Sequence, residues 1–261
     1  YKEYGICCFK IDGLQIPTKT AEQNLRRLFD AVLAQTNHEV IFNLDATAGR
    51  RGGYHYMNEY GNIFLENRYT DWGNYYPYRT LRNLWMLSRY VPAEKMQIEF
   101  LNKWRNADKY STTDPFAPAR YSFDYLFAIT LAAQPLAWME ASNLPEEAYA
   151  PATLLKEYQP LQLQFHQGII LPIGEEPSGR SWTGFQSIVS DTQGYLIIYR
   201  EDNDIAKRTI DTWLPEGKKV TFTPLMGNGK KFVAEVGVQG KVSFELNDKN
   251  SFTLYQYQVK P

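Results

Sequence analysis

The stretch Gly5-Ile6-Cys7-Cys8-Phe9-Lys10-Ile11-Asp12-Gly13 decides the fold of this chain. Residues 6–9 and Ile11 are apolar or small, a composition typical of a buried strand in a parallel sheet. Lys10 and Asp12 are two residues apart, so both side chains point to the same face where the strand ends. Two interpretations are open: Lys10 and Asp12 form an ion pair where the strand surfaces, or Asp12 is a catalytic carboxylate at the carboxyl end of a barrel strand.

The residues that follow repeat a strand and helix order. Thr18 or Thr20 can cap a helix with apolar residues at helical spacing, and residues 39–44 form a second apolar strand. A third short strand is predicted at residues 62–65. Helices are predicted over residues 77–90, 121–139 and about 143–159. This order predicts parallel strands that are joined by helices.

Beyond residue 160 the pattern changes to short alternating segments. Turn sequences such as Asp191-Thr192-Gln193-Gly194 and Gly227-Asn228-Gly229 separate these segments. Strands at this spacing predict an antiparallel β-sandwich. The predicted fold class is therefore α/β. Residues 1–155 form part of a (β/α)8 TIM barrel, and residues 156–261 form an antiparallel β-sandwich domain.

The composition narrows the classes of function. The 261 residues carry 28 Lys and Arg against 29 Asp and Glu, a formal net charge of −1 that favours neither nucleic acid nor a membrane as partner. No apolar run reaches the ~18–20 residues that a membrane-spanning helix needs. Cys7 and Cys8 are adjacent on the first strand and are interpreted as small buried hydrophobic residues. The three His are isolated, so no metal site and no cofactor is predicted.

Aromatic residues are abundant, with 19 Tyr, 14 Phe and 6 Trp. Many of them must fill a core, and Trp104, Trp138 and Trp213 are predicted to lie there. A second group, which includes Trp72, is concentrated in the Gly-, Asn- and Arg-rich residues 54–78. Aromatic rings with polar tips suit the CH-rich faces of sugars, and they also suit protein interfaces.

Charged residues follow each of the first three predicted strands. They are Lys10 and Asp12 after the first, Asp45 and Arg50 after the second, and Glu66, Arg68 and Asp71 after the third. The carboxyl ends of barrel strands meet on one face, so these side chains are expected to converge. Glycoside hydrolysis needs two carboxyl groups at one bond, one as nucleophile or base and one as acid.

Three segments resemble the α-galactosidase (melibiase) clan of retaining glycoside hydrolases. Phe9-Lys10-Ile11-Asp12-Gly13 is similar to the Lys-x-Asp strand motif of that clan. Residues 48–53 are similar to its Gly- and Arg-rich loop, and Thr70-Asp71 is similar to the end of its Ser-Asp-x-Thr-Asp motif. The Ser-Asp of that last motif is absent, and residues 66–69 stand there instead. A helix near residue 144 followed by a small β domain fits the same clan.

The resemblance implies a role for each matching residue. Asp12 would be the nucleophile, with Asp71 as first choice for the acid/base and Glu66 as second choice. The sugar would be held by Lys10, Asp45, Arg50, Arg68 and Trp72.

The resemblance also implies the partners and the extent of the enzyme. It implies an oligosaccharide or glycoside substrate and no cofactor or metal, leaves a homo-oligomer open, and favours a periplasmic or extracellular location. It implies further that these residues are the second half of a barrel and hydrolyse little on their own.

Two other interpretations remain open. A carbohydrate-binding protein without catalysis would keep the aromatic residues 54–78 and use the carboxylates as hydrogen-bond acceptors. A barrel enzyme of another class would use Lys10 to form a Schiff base, although a neighbouring carboxylate favours the protonated amine.

Overall fold

The computed structural model describes residues 1–46, 57–65, 70–139 and 144–260. A five-stranded parallel sheet has the order β1-β2-β3-β4-β5, formed by β1 Cys8–Ile11, β2 Ile41–Asp45, β3 Gly61–Phe64, β4 Met96–Phe100 and β5 Gln134–Ala137. Each neighbouring pair is parallel. Within the described residues β1 and β5 each pair on one side, so they are the edge strands.

Four α-helices lie within the described ranges: α1 Lys19–Gln35, α2 Pro77–Leu87, α3 Phe123–Ala128 and α4 Pro151–Phe165. Thr18 caps α1 as expected, because its hydroxyl oxygen accepts the backbone N–H of Ala21 at 3.1 Å. Pro77 begins α2, where its missing N–H removes no helical hydrogen bond. None of the helices described is long and apolar enough to cross a membrane.

The two faces of the parallel sheet differ in chemistry. One face carries buried apolar side chains such as Phe42 and Leu44, which pack with Phe29 of α1. The other face carries a row of polar side chains, in which Lys10 lies opposite Asn43 and Asn43 opposite Asn62. This second face is mixed, since Phe64 lies opposite Asp45 on the same side of the sheet. It therefore offers both polar and aromatic groups to a ligand.

Amide pairs tie the polar face together across the sheet. Asn43 of β2 donates to Oε1 of Gln97 of β4 at 2.5 Å, and Asn62 of β3 donates to Oε1 of Gln134 of β5 at 2.8 Å. Each bond spans an intervening strand. These bonds therefore fix the relative positions of the four strands β2 to β5.

The carboxyl-terminal strands are antiparallel, as predicted. The larger sheet has the order β11-β10-β13-β8-β7-β6 and the smaller pairs β12 with β9. Their bounds are β6 Ile169–Gly174, β7 Trp182–Ile188, β8 Gln193–Arg200, β9 Lys207–Asp211, β10 Lys219–Gly227, β11 Phe232–Glu235, β12 Lys241–Glu245 and β13 Ser251–Val259. The sandwich arrangement of these sheets stays a prediction.

Parallel and antiparallel strands share a hydrophobic core. The indole N–H of Trp85 in α2 donates to the carbonyl of Ile173 in β6 at 3.1 Å. The buried hydroxyl of Tyr199 in β8 donates to the carbonyl of Ala128 in α3 at 2.7 Å. The predicted domain division between residues 155 and 156 falls inside α4 and stays a prediction.

Several buried positions were predicted wrongly. Cys7 and Cys8 are both exposed, because β1 is an edge strand and not a strand enclosed on both sides. Trp104, Trp138 and Trp213 are not core residues, since 46%, 38% and 57% of their surfaces are exposed. The polar indole N–H lets a Trp lie at the surface, and that of Trp213 donates to the carbonyl of Pro172 at 3.1 Å.

Two predicted helices have different bounds. The helix expected over residues 121–139 is wrong beyond Ala128, because α3 ends there and β5 follows at Gln134–Ala137. Residues 126–129 and 131–133 are fully buried. A continuously apolar run shows no periodicity, so it cannot distinguish a buried helix from a buried strand. The last helix starts at Pro151 and not near residue 143.

Candidate active site

The carboxyl ends of β1 and β2 place one lysine between two carboxylates. Nζ of Lys10 lies 3.3 Å from Oδ2 of Asp45 and 3.6 Å from Oδ2 of Asp12. Asp45 is the last residue of β2 and is completely buried, whereas 54% of the Asp12 side chain is exposed. The N–H of Gly13 donates to Oδ1 of Asp12 at 2.6 Å. The carboxylate is therefore oriented by its neighbours, and about half of the Asp12 side chain is exposed to solvent.

Two aromatic rings form a wall beside this lysine. Nζ of Lys10 lies 4.5 Å from the ring centre of Phe64 and 5.5 Å from that of Trp138. Phe64 ends β3, and Trp138 follows β5, where its backbone N–H donates to the backbone carbonyl of Phe100 in β4 at 3.1 Å. Side chains at the ends of β1, β2, β3 and β5 thus lie in one region. The convergence of the full set of predicted charged residues stays a prediction.

Asp71 lies on a short 3-10 turn after β3 and is held by a basic loop. Nε and Nη2 of Arg105 donate to its two carboxylate oxygens at 2.8 and 3.2 Å, and the amide of Asn106 donates to Oδ1 at 2.9 Å. The ammonium of Lys109 donates to the backbone carbonyl of Asp71. Both carboxylate oxygens therefore act as acceptors. The next residue, Trp72, is 68% exposed.

Buried tyrosines anchor the loop that carries Arg105. The hydroxyl of Tyr110 accepts the backbone N–H of Tyr75 at 3.2 Å, and its ring meets that of Tyr76 edge-on at 5.6 Å. Burial raises the pKa of Tyr110 to about 12. Tyr110 therefore keeps its proton at neutral pH and acts as a structural anchor.

A cavity of about 490 Å³ lies beside the Asp71 cluster. Asp71, Asn102 and Arg105 form its polar side, and Leu136 and Trp138 form an apolar side. Since Trp138 also faces Lys10, its ring is common to the cavity and to the Lys10 cluster. The volume of the cavity falls in the range of small-molecule sites in proteins, which runs from roughly 300 to 1,000 Å³.

Sequence reasoning located some residues of this site and missed others. Lys10, Asp12 and Asp45 are brought together, but Arg50, Glu66 and Arg68 lie outside the described residues. Trp138 was assigned to the core. Glu99, a fully buried carboxylate on β4, was missed because no strand was predicted there, although Gln97 and Glu99 show the alternation of a strand. Within the described ranges no cluster of His, Cys, Asp and Glu is arranged to hold a metal.

Comparisons with known proteins support the fold. No family model matches the sequence, and no curated protein matches it. Among solved structures, the galactosidase domain of the α-galactosidase–sucrose kinase AgaSK superposes over 92% of this chain, with a TM-score of 0.63 and 10% identity. In fold, this chain is similar to part of an α-galactosidase. The GH36 α-galactosidase AgaA from Geobacillus stearothermophilus, in complex with raffinose, matches 97% of the chain with a TM-score of 0.61 and 11% identity.

The chain spans about a third of the length of these galactosidases, 31% of AgaSK and 35% of AgaA. An Anoxybacillus α-amylase also matches, over 90% of this chain and 56% of its own, with a TM-score of 0.53 and 13% identity. The structural neighbours named here are thus glycoside hydrolases. At these identities the likeness is one of fold, and it confirms the expected resemblance to the α-galactosidases at that level.

Proposed function

We propose that this chain contributes to a retaining α-glycoside hydrolase of the α-galactosidase type, with Asp12 as the nucleophile. The observation that carries the proposal is the accessible carboxylate of Asp12, 3.6 Å from the ammonium of Lys10 at the carboxyl end of a parallel strand. Active sites of barrel enzymes lie at that end of the strands. The fold likeness to galactosidases and the adjoining cavity support the same assignment.

We propose further that the five parallel strands are part of a (β/α)8 barrel. A polar inner face, buried apolar packing on the helix side and edge strands on both sides of the sheet support this arrangement. The known galactosidases are about three times as long as the matching region. The activity is accordingly proposed for the complete protein in which these strands operate.

In the first step Asp12 attacks the anomeric carbon of a terminal α-linked sugar. A bond forms between Oδ of Asp12 and that carbon, and the bond to the leaving oxygen breaks while an acid protonates that oxygen. The ammonium of Lys10 places a positive charge beside the attacking carboxylate and has N–H donors for sugar hydroxyls. Asp45 orients this ammonium through its contact at 3.3 Å.

In the second step water hydrolyses the glycosyl ester on Asp12. The acid of the first step, now ionised, removes a proton from that water, and the two displacements together retain the configuration at the anomeric carbon. This sequence requires the two carboxyl groups to lie about 5–5.5 Å apart. The cavity beside Asp71 and Trp138 is the proposed location of the leaving group.

Asp71 and Glu66 remain the two candidates for the acid/base. Asp71 lines the cavity, but Arg105 and Asn106 donate to both of its carboxylate oxygens. A general acid must carry a proton, so Asp71 would have to release one of these contacts in order to act. Glu66 comes two residues after the end of β3 in the sequence and is the competing candidate.

The same contacts favour a second candidate function, a carbohydrate-binding protein without turnover. In that case Asp71 would hold Arg105 at the cavity, and the carboxylates would accept hydrogen bonds from a bound sugar. A Schiff-base enzyme is less well supported, because Lys10 is paired with two carboxylates and an attacking amine must be neutral.

A slowly hydrolysed fluorinated α-galactosyl fluoride distinguishes these functions, because it stalls a retaining enzyme at the covalent intermediate. We expect mass spectrometry of peptide digests to find the sugar on Asp12, both in the complete protein and, more slowly, in this chain. Asp12→Asn is the control and should stay unlabelled. Turnover of the reagent with label on another residue, or with none, would contradict the assignment of Asp12.

A further inference from the structure

A second cleft lies on the antiparallel part of the chain, between the β9–β12 pair and the β10–β11 hairpin. It encloses about 300 Å³ and is built from strands and turns that take no part in the Lys10 cluster. The cleft is lined by Lys207, Asn228, Lys230, Phe232, Ser243, Glu245, Asn247 and Tyr255. Most of these side chains are polar, and two of them are aromatic.

The aromatic side of the cleft is held in place by a cluster of rings. Phe232 stacks on the buried Phe222 with ring centres 4.6 Å apart and an interplanar angle of 14°. The rings of Phe244 and Tyr255 meet Phe232 edge-on at 5.7 and 5.8 Å. Because three neighbours fix the ring while it still lines the cleft, Phe232 offers a rigid, partly exposed aromatic surface.

The polar side of the cleft is also fixed before any ligand binds. The N–H of Gly229 donates to Oγ1 of Thr253 at 2.7 Å, and a side chain at Gly229 would collide with the hydroxyl of Tyr255. This close approach holds Asn228 and Lys230 on either side of the turn. On the opposite wall the buried Arg200 donates to the backbone carbonyl of Asn247 at 2.8 Å.

We propose that this cleft binds a saccharide, at a site separate from the Lys10 cluster. An aromatic surface suits the CH face of a sugar ring, and amide and hydroxyl groups suit its hydroxyls. Two lysines and one glutamate give the lining a net charge of only +1, so most of its polar groups are uncharged hydrogen-bonding groups or a mixed pair of charges, which suits the hydroxyls of a neutral glycan. Rigid walls limit the entropy that is lost when a ligand binds.

Native gel electrophoresis through soluble polysaccharide tests this site. The probes are galactomannan, starch and arabinoxylan, each compared with a gel without polysaccharide. We expect at least one of them to retard the chain, and Phe232→Ala to raise the apparent Kd roughly tenfold. Val233→Ala is the matched control, since Val233 is exposed on the same strand and lies outside the cleft. It should leave the retardation unchanged.

A second variant keeps the test valid if Phe232→Ala fails to fold. Asn247→Ala changes an exposed side chain of the cleft and should also weaken retardation, with an unchanged melting temperature. Retardation by none of the three probes, or retardation unchanged in both cleft variants, would each overturn the proposal. If no glycoside were hydrolysed but Phe232 still controlled retardation, the catalytic proposal would fail and this one would stand.

Discussion

Nζ of Lys10 lies 3.3 Å from Oδ2 of Asp45, a carboxylate that has no exposed surface at the end of β2. Lys10 is partly exposed and pairs at 3.6 Å with the accessible Asp12 as well. A buried charge is costly unless an opposite charge and hydrogen bonds compensate it. Lys10 therefore links the stability of the sheet edge to the geometry of the proposed nucleophile.

Replacing Lys10 should destabilise the chain through Asp45. We expect Lys10→Met to lower the free energy of unfolding in urea by about 2 kcal/mol, because it removes a positive charge beside a buried carboxylate. In a double-mutant cycle with Asp45→Asn, the two losses should not add. Additive losses would show that the contact at 3.3 Å is energetically unimportant.

Removing the proposed nucleophile should abolish turnover without unfolding the chain. In the complete protein, we expect Asp12→Asn to lower kcat on an aryl α-galactoside at least about a thousandfold, since no covalent intermediate can then form. The melting temperature of Asp12→Asn should stay close to that of the unsubstituted protein, because the Asp12 side chain is 54% exposed. Asp211→Asn, an exposed change on β9, serves as the control. Near-normal turnover of Asp12→Asn would exclude a nucleophilic role.

The acid/base can be assigned by comparing Glu66→Gln with Asp71→Asn. The variant that lacks the acid should lose activity on poor leaving groups by roughly a hundredfold or more and keep most of it on a dinitrophenyl glycoside, which departs without a proton. Azide should rescue that variant and give a glycosyl azide of retained configuration. If Asp71 only positions Arg105, Asp71→Asn should instead raise KM similarly for both leaving groups. Equal responses of the two variants would leave neither assignment tenable.

Trp138 should control binding of the leaving group. We expect Trp138→Ala to raise KM for a disaccharide or trisaccharide by roughly tenfold, because the ring borders the cavity of about 490 Å³. With an aryl α-galactoside KM should rise less, since fewer sugar contacts are lost. Trp213→Ala, another exposed Trp on the antiparallel part, is the control. A tenfold change with Trp213→Ala as well would indicate a general structural effect.

Glu201 should make the stability of the chain depend on pH. Its Oε2 accepts the backbone N–H groups of Ser178, Gly179 and Ser181 at 3.0, 2.8 and 2.8 Å, but burial outweighs these bonds and raises the pKa of Glu201 to about 7. The folded state therefore holds this proton more tightly than the unfolded state, whose glutamate has a pKa of 4.5. The resulting stabilisation is complete below about pH 4.5 and is lost as the pH rises through about 7.

Urea unfolding at several pH values measures this contribution. A difference of 2.5 pKa units corresponds to about 3 kcal/mol. The stability of the original chain relative to Glu201→Gln should fall by about that amount between pH 4.5 and pH 8. Glu235→Gln, an exposed change on β11, should show no such trend. A constant difference between the original chain and Glu201→Gln would mean that Glu201 ionises as freely when folded as when unfolded.

Local sequence signals determined much of the fold. The alternation and helical spacing of apolar residues placed β1, β2, β3, α1 and α2 within a few residues of their observed bounds. Lys10 and Asp12 could be assigned to one face of β1 because strand geometry alone dictates that alternation. Six of the eight antiparallel strands coincide with short segments between turn sequences. β11 and β12 alternate exposed side chains with more buried ones, whereas β7 and β8 are buried almost throughout and show only as short apolar runs.

Tertiary structure decided the rest. A fully buried run carries no periodicity, so residues 126–137 became a short helix, turns and β5 only through their packing. Exposure of Cys7 follows from the edge position of β1, which depends on how all five strands are ordered. The contacts of Asp71 with Arg105 and of Lys10 with Trp138 join residues far apart in the chain. No local pattern encodes such contacts, because they exist only once the strand ends meet.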